Sequence, residues 1–299
     1  MIIYVLVLDG AFDTGLAALL DAFTTANELA ASTGMSSPPL TVSIIGVRKH
    51  VKTAQGLLVP VVLGKNLVRP DVIVVPALGA KTPETLGAAL ERIEVAQAGR
   101  LLRNWAGQGA FIAAACTATF VLAGTKLLDG LPATTSWWLA PLFRSLYPRV
   151  KLDEARMLVA SKQVVTAGAA LAHLDLALWL IRRSSPALAT LTARYLVVDP
   201  RPSQAAFVIP DHLAHADPIV ERFEHWARNH LADGFSLKAA ALAAGTSERT
   251  LARRLRSVLG KSPLSYFQDL RVEHAIPTFC RPAAPVLSRL RPGLAMPTV

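Results

Sequence analysis

The chain has 299 residues, a hydrophobic fraction of 52%, a charged fraction of 17% and a formal net charge of +10. This length suffices for two ordinary domains, and the composition excludes an intrinsically disordered chain. The basic excess favours a polyanionic partner such as nucleic acid, and the two cysteines, Cys116 and Cys280, are too few for a disulfide framework.

The N-terminal run Ile2–Leu8 is a strand, rich in Val and Ile and too short for a signal-peptide core. Leu16–Ala31 reads as a helix. Thr41–Val47, Asp71–Pro76 and Ala110–Cys116 read as further strands, separated by helices over Glu91–Ala106 and Thr117–Leu127. Strands alternating with helices imply βαβ units and a mostly parallel sheet covered on both faces. The uncharged stretch Asn104–Thr125 is rich in Ala, Gly and Thr, so no membrane span is expected and the expected compartment is cytoplasmic. Met157–Val159 and Val164–Thr166 form a hairpin around a turn at 160–163. A helix follows over Ala169–Arg183, with Leu171, Leu174, Leu178 and Ile181 at helical spacing. Residues 184–198 look helical but weakly patterned, and the turn-forming segments Asp199–Ser203 and Ile209–Asp211 mark a linker, placed over 184–216.

From Asp217 onward the pattern is helical. Ser236 caps a short helix, Leu237–Ala244; Gly245 turns the chain; Ser247 caps a second helix with Glu248 in its first turn. Leu251, Leu255, Val258 and Leu259 make one apolar stripe, with Arg249, Arg253, Arg254 and Arg256 on other faces. Spacing alone leaves two readings open: a helix-turn-helix whose second helix enters a DNA major groove, or a helical hairpin with a solvated basic face. Arginine suits the first, because its planar fork holds guanine edges or phosphates at two points.

The residues Ser236–Leu255 and their continuation Gly260–Ala275 resemble the first helix-turn-helix and connecting helix of AraC-type transcription regulators. The resemblance implies double-stranded DNA as partner, with contacts from Ser247, Arg249, Thr250, Arg253 and Arg254. That family carries a second helix-turn-helix, whereas here Pro277, Pro282, Pro285, Pro292 and Pro297 interrupt the tail. The DNA-binding domain is therefore placed at 217–276, incomplete, with 277–299 an unstructured tail. A single module makes few phosphate contacts, so tight specific binding needs a homodimer or a partner.

Phe111–Phe120 is a strand running into a helix at Cys116. Such a turn can present a thiol on a strained elbow, with a pKa lowered by the helix N-terminus; the other reading is a buried cysteine serving as a small apolar residue. Cys116–Ala123, Leu127–Gly130, Ala133–Trp138, Thr166–Gly168 and Leu174–Leu178, with Leu8-Asp9-Gly10, resemble the DJ-1/PfpI-like (class I glutamine amidotransferase-like) domain fused to AraC-type modules in GlxA-like regulators. The resemblance implies a flavodoxin-like α/β sandwich over 1–183, followed by the small all-α domain. Catalysis by the family needs a base, and the position usually held by histidine is Ser136. The acidic position falls close to Gly15, and Asp13 and Asp21 are neighbours without an assured equivalence. The expectation is therefore a pocket at Cys116 and Ser136 that binds an unknown small-molecule effector without turnover, with no catalytic residue and no cofactor. The alternatives are a cysteine-dependent hydrolase or amidase with an accessory helical domain, and a regulator that has lost operator binding. Trp137 and Trp138 are read as core or as pocket walls. His212 and His215 have no acidic or cysteine companion at ligand spacing, so no metal is expected.

Overall fold

Four short runs rich in Val, Ile and Ala, buried on both faces, build the centre of the first unit. The structure is a computed structural model and describes residues 1–63, 67–199, 201–207 and 217–279, with the side chains of 206 and 273–279 left aside. The chain divides into two units, Met1–Pro210 and Asp211–Val299.

The strands of the first unit are β1 (Ile2–Leu6), β2 (Thr41–Gly46), β3 (His50–Lys52), β4 (Leu58–Pro60), β5 (Val62–Leu63), β6 (Val72–Val75), β7 (Phe111–Ala115), β8 (Pro132–Ala133), β9 (Lys151–Leu152), β10 (Leu158–Ser161) and β11 (Val164–Ala167). Seven of them form one sheet in the order β10-β11-β7-β6-β1-β2-β5. All neighbours in it are parallel except β10 and β11. The helices are α1 (Asp13–Ser32), α2 (Pro83–Leu90), α3 (Ile93–Gly107), α4 (Ala118–Gly124), α5 (Ala140–Leu146), α6 (Ala172–Ser184) and α7 (Pro186–Tyr195).

Successive residues of a strand point to opposite faces, and the two cores follow that alternation. Ile3, Val72, Val74, Phe111, Ala113 and Ala115 meet Leu19 and Phe23 of α1, Leu176 and Leu180 of α6 and Leu188 of α7. Tyr4, Leu6, Ile73, Val75, Ile112 and Ala114 meet Val95, Leu102 and Trp105 of α3 and Phe120 of α4. Both faces are covered by helices, which is why the central strands read as unbroken apolar runs. This is the flavodoxin-like, mostly parallel arrangement expected.

Several boundaries differ from expectation. The hairpin turn is two residues long, since Ser161 pairs with Val164 and Lys162 adopts a φ of +50°. Helix α2 was not anticipated, although Thr82 caps it reciprocally with Thr85 and Pro83 opens it. The early part of the expected linker, read as helical but weakly patterned, is helix α7 and belongs to the first unit. It is capped by Ser185, and Leu188 and Ala189 are buried in the core shared with α1 and α6. One buried flank sufficed to dock it, although its pattern is weak. The rest of the expected linker lies in 196–199, in 201–207 and in residues outside those described.

The second unit contains α8 (Pro218–Asn229), α9 (Leu237–Ala243), α10 (Glu248–Leu259) and α11 (Pro263–Phe279). Asp217 caps α8, accepting from the amides of Ile219 and Val220. Ser236 and Ser247 cap α9 and α10 as the sequence predicts, each accepting from the amide three residues on. Gly245 and Gly260 turn the chain after these helices at φ +66° and +68°, left-handed values that a side chain resists. The core joins Phe223 and Trp226 of α8 to Phe235 and to Tyr266 and Phe267 of α11. Helix α11 continues to Phe279, through Pro277, where an end at 276 was expected. A proline removes one amide donor from a helix but leaves the preceding turns bonded. The remainder of the expected tail, 280–299, lies outside the described residues.

Candidate functional site

Strand β7 delivers the chain to Cys116, whose φ of +55° lies in the left-handed region. A non-glycine residue there costs about 1–3 kcal/mol, so its surroundings must hold it. The Cys116 amide donates to the carbonyl of Ala167 at 2.8 Å. The Thr135 hydroxyl donates to the Cys116 carbonyl at 2.9 Å, and the Thr117 hydroxyl donates to the Leu78 carbonyl at 2.7 Å. The elbow is thus clamped by β11, by the segment after β8 and by the segment after β6.

The Cys116 thiol donates to the Ser136 hydroxyl at 3.4 Å, so the two residues expected to line a pocket do meet. Both are buried, at 4% and 0% exposure. Burial pushes the thiol up to about 11, against the smaller lowering from Ser136 and the Thr117 backbone. Of the two readings of Cys116, this favours the buried cysteine over a thiol whose pKa the helix N-terminus lowers. α4 is a short helix, and the desolvation of a thiolate outweighs its field.

Among the described residues, the thiol makes no hydrogen bond to an imidazole. His173, fully buried on α6, accepts from the Ala77 amide at Nε2 (3.0 Å) and bonds the Ala170 carbonyl at Nδ1 (2.6 Å). These partners fix the tautomer with the proton on Nδ1, and burial drives the group down to about 4. Its ring fills the space beside Gly15: a Cβ there would lie 2.6 Å from the imidazole. The acidic position read near Gly15 is therefore occupied by a neutral ring. Asp13 accepts from the Gln55 amide at 3.1 Å, and Asp21 is exposed.

Two residues of this neighbourhood were missed in the sequence. His173 sits singly on an apolar helix face, a weak signal. Gln204, fully buried, donates to the Thr135 carbonyl at 2.8 Å and the Thr134 hydroxyl at 3.3 Å. It comes from a Pro/Ser segment far along the chain, and no local pattern marks it. Trp137 is buried and meets Trp138 edge-to-face at 5.5 Å; Trp138 packs against the α3–α4 core.

In the second unit, α10 buries Leu251, Leu255, Val258 and Leu259 and exposes Arg249, Arg253 and Arg256. Ser247 is exposed and engaged in capping, and its hydroxyl bonds that of the half-buried Thr250 at 3.0 Å. Arg254 pairs with the capping carboxylate of Asp217 at 3.3 Å while remaining half exposed. The five predicted DNA-contacting residues thus share the first two turns of one helix. His212 and His215 lie outside the described residues. Among those described, no group of three or more His, Cys, Asp or Glu could hold a metal ion, and no helix is long and apolar enough to cross a membrane.

No family model and no curated protein sequence matches the chain. Among solved structures it is similar to an AraC family transcriptional regulator from Pseudomonas putida, at 18% identity and TM-score 0.54, over 65% of this chain and 98% of that one. It is also similar to DJ-1beta of Drosophila melanogaster, at 19% identity and TM-score 0.51, over 67% of this chain and 98% of that one. A THiJ/PfpI family protein from Pseudomonas syringae matches at 21% identity and TM-score 0.54, over 82% of this chain and 90% of that one. At such identities the likeness is one of fold, and the fold is the DJ-1/PfpI-like one that the sequence resembles.

Proposed function

We propose that the chain is a ligand-responsive transcription regulator of the AraC type. In this reading the second unit binds double-stranded DNA through Ser247, Arg249, Thr250, Arg253 and Arg254. The DJ-1/PfpI-like unit senses a small metabolite beside Cys116 and Ser136 without transforming it, and the protein acts as a homodimer. One observation carries the reading: α10 hides a single leucine-rich stripe and leaves Arg249 and Arg253 in solvent near a capped N-terminus. A helix so arranged can enter a major groove with its first turns toward base edges. The buried, protonated thiol and the engaged nitrogens of His173 favour sensing over turnover.

The test is an anisotropy titration of the full chain against DNA upstream of its own gene and against random DNA, at several salt concentrations. Sequence-preferring binding is expected to persist at physiological salt, and Arg253→Ala should weaken it by about 1–3 kcal/mol. Equal affinity for both DNAs, vanishing together as salt rises, would leave only charge attraction and refute the reading.

A further inference from the structure

The segment 201–207 lies along the first unit and ends just before Asp211, where the second unit begins. It is latched by its backbone and by two side chains. The Gln204 amide and the Ser203 hydroxyl donate to the Ala155 carbonyl at 2.9 and 2.7 Å, and the Met157 amide donates to the Pro202 carbonyl at 3.2 Å. Arg201 is paired with Asp175 and donates to the Leu171 carbonyl at 3.0 Å. From this latch the Gln204 side chain enters the protein completely.

Its Nε2 faces three acceptors: the Thr135 carbonyl at 2.8 Å, the Thr134 hydroxyl at 3.3 Å and the Arg156 carbonyl at 3.4 Å. Two carbonyls facing one atom settle that this atom is the nitrogen. Its Oε1 is buried with no hydrogen-bond partner. Gly168 makes the room, because a Cβ there would lie 2.5 Å from Nε2. Thr135 also bonds the Cys116 carbonyl and precedes Ser136, so the carboxamide is tied to the Cys116–Ser136 pair through Thr135.

We propose that the Gln204 carboxamide is a built-in occupant of the effector site, and that a small primary amide displaces it and frees segment 201–207. The hole has acceptors only, so it selects an uncharged group with two N–H donors. Arg201 and Asp175, the charged residues of the latch, are paired with each other. The orphaned Oε1 leaves the lodged state incompletely satisfied, so Gln204 gains a hydrogen bond when its oxygen is released to solvent and is the easier to displace. Release frees segment 201–207 from the first unit. This inference rests on the sensor reading given above.

The probe is propionamide, with N,N-dimethylpropionamide as the control lacking N–H donors, and the readout is hydrogen exchange of the full chain over 155–159 and 201–207. Propionamide should speed exchange of the Met157 and Gln204 amides at least several-fold, and the control should not. Gly168→Ala keeps Gln204 but crowds its site, so it should exchange fast without ligand. Gln204→Ala leaves the hole empty, so propionamide should raise its melting temperature. Unchanged exchange in the wild type, or a Gly168→Ala chain as protected as the wild type, would overturn the proposal. DNA binding measured on the same samples separates the two readings. Opening without sequence preference removes the regulator reading and leaves the site, whereas sequence preference without opening does the reverse.

Discussion

At Cys116 two costs coincide: a left-handed backbone and a buried, desolvated sulfur. The hydrogen bonds from Thr135 and to Ala167 hold the first, and the second keeps the thiol protonated at neutral pH. In a chain whose other cysteine is replaced by Cys280→Ala, iodoacetamide should alkylate native Cys116 at pH 8 at least 100-fold more slowly than the urea-unfolded chain, on the order of the thiolate population lost. A native rate close to the unfolded one would show an open, activated thiol. His173 makes the opposite pH statement. Its folded value lies near 4 against 6.5 when unfolded, so above pH 6.5 both states are neutral and it costs nothing. As pH falls below 6.5 the unfolded chain takes up a proton that the folded chain refuses. Stability should then drop by up to about 3 kcal/mol by pH 4. Urea midpoints at pH 7 and pH 5 for the wild type and His173→Gln check it, the variant having the shallower slope.

At the scale of the element, α10 is specified almost wholly by local chemistry. Ser247 supplies the cap, Gly260 the left-handed exit, and four apolar residues the buried stripe. Ser247→Ala should destabilise the second unit by about 1 kcal/mol, read by its thermal midpoint, whether or not the hydroxyl touches DNA. The arginines divide differently. Arg253→Ala should leave the midpoint unchanged, whereas Arg254→Ala also breaks the pair between the half-exposed guanidinium and buried Asp217 and should lower the midpoint by a few degrees. Anisotropy and melting on the same two variants separate DNA contact from internal support. Equal loss of melting temperature in both would show Arg253 to be structural.

The whole molecule has two units with separate cores, so unfolding should not be a single event. Phe23 is fully buried between α1 and the sheet, in a core that contains no residue of the second unit. Phe23→Ala should cost about 3–5 kcal/mol and lower one calorimetric transition only. A common shift of all unfolding signal would mean that the units fold as one.

The sequence by itself determined what depends on near neighbours: the apolar runs of β1, β6 and β7, the period of α1 and α10, the caps at Ser236 and Ser247 and the glycine exits. Its resemblance also located the Cys116 elbow and its partner Ser136, because those motifs are short and local. The fold then decided what depends on distant residues meeting. Burial raised the thiol, the ring of His173 filled the place beside Gly15, and Gln204 reached Thr135 across 69 positions of chain. α7 joined the first core although its own pattern is weak. Local sequence encodes backbone preference and one face of an element. Desolvation and occupancy are properties of a packed interior, set only when segments remote in the chain close over the same few ångströms.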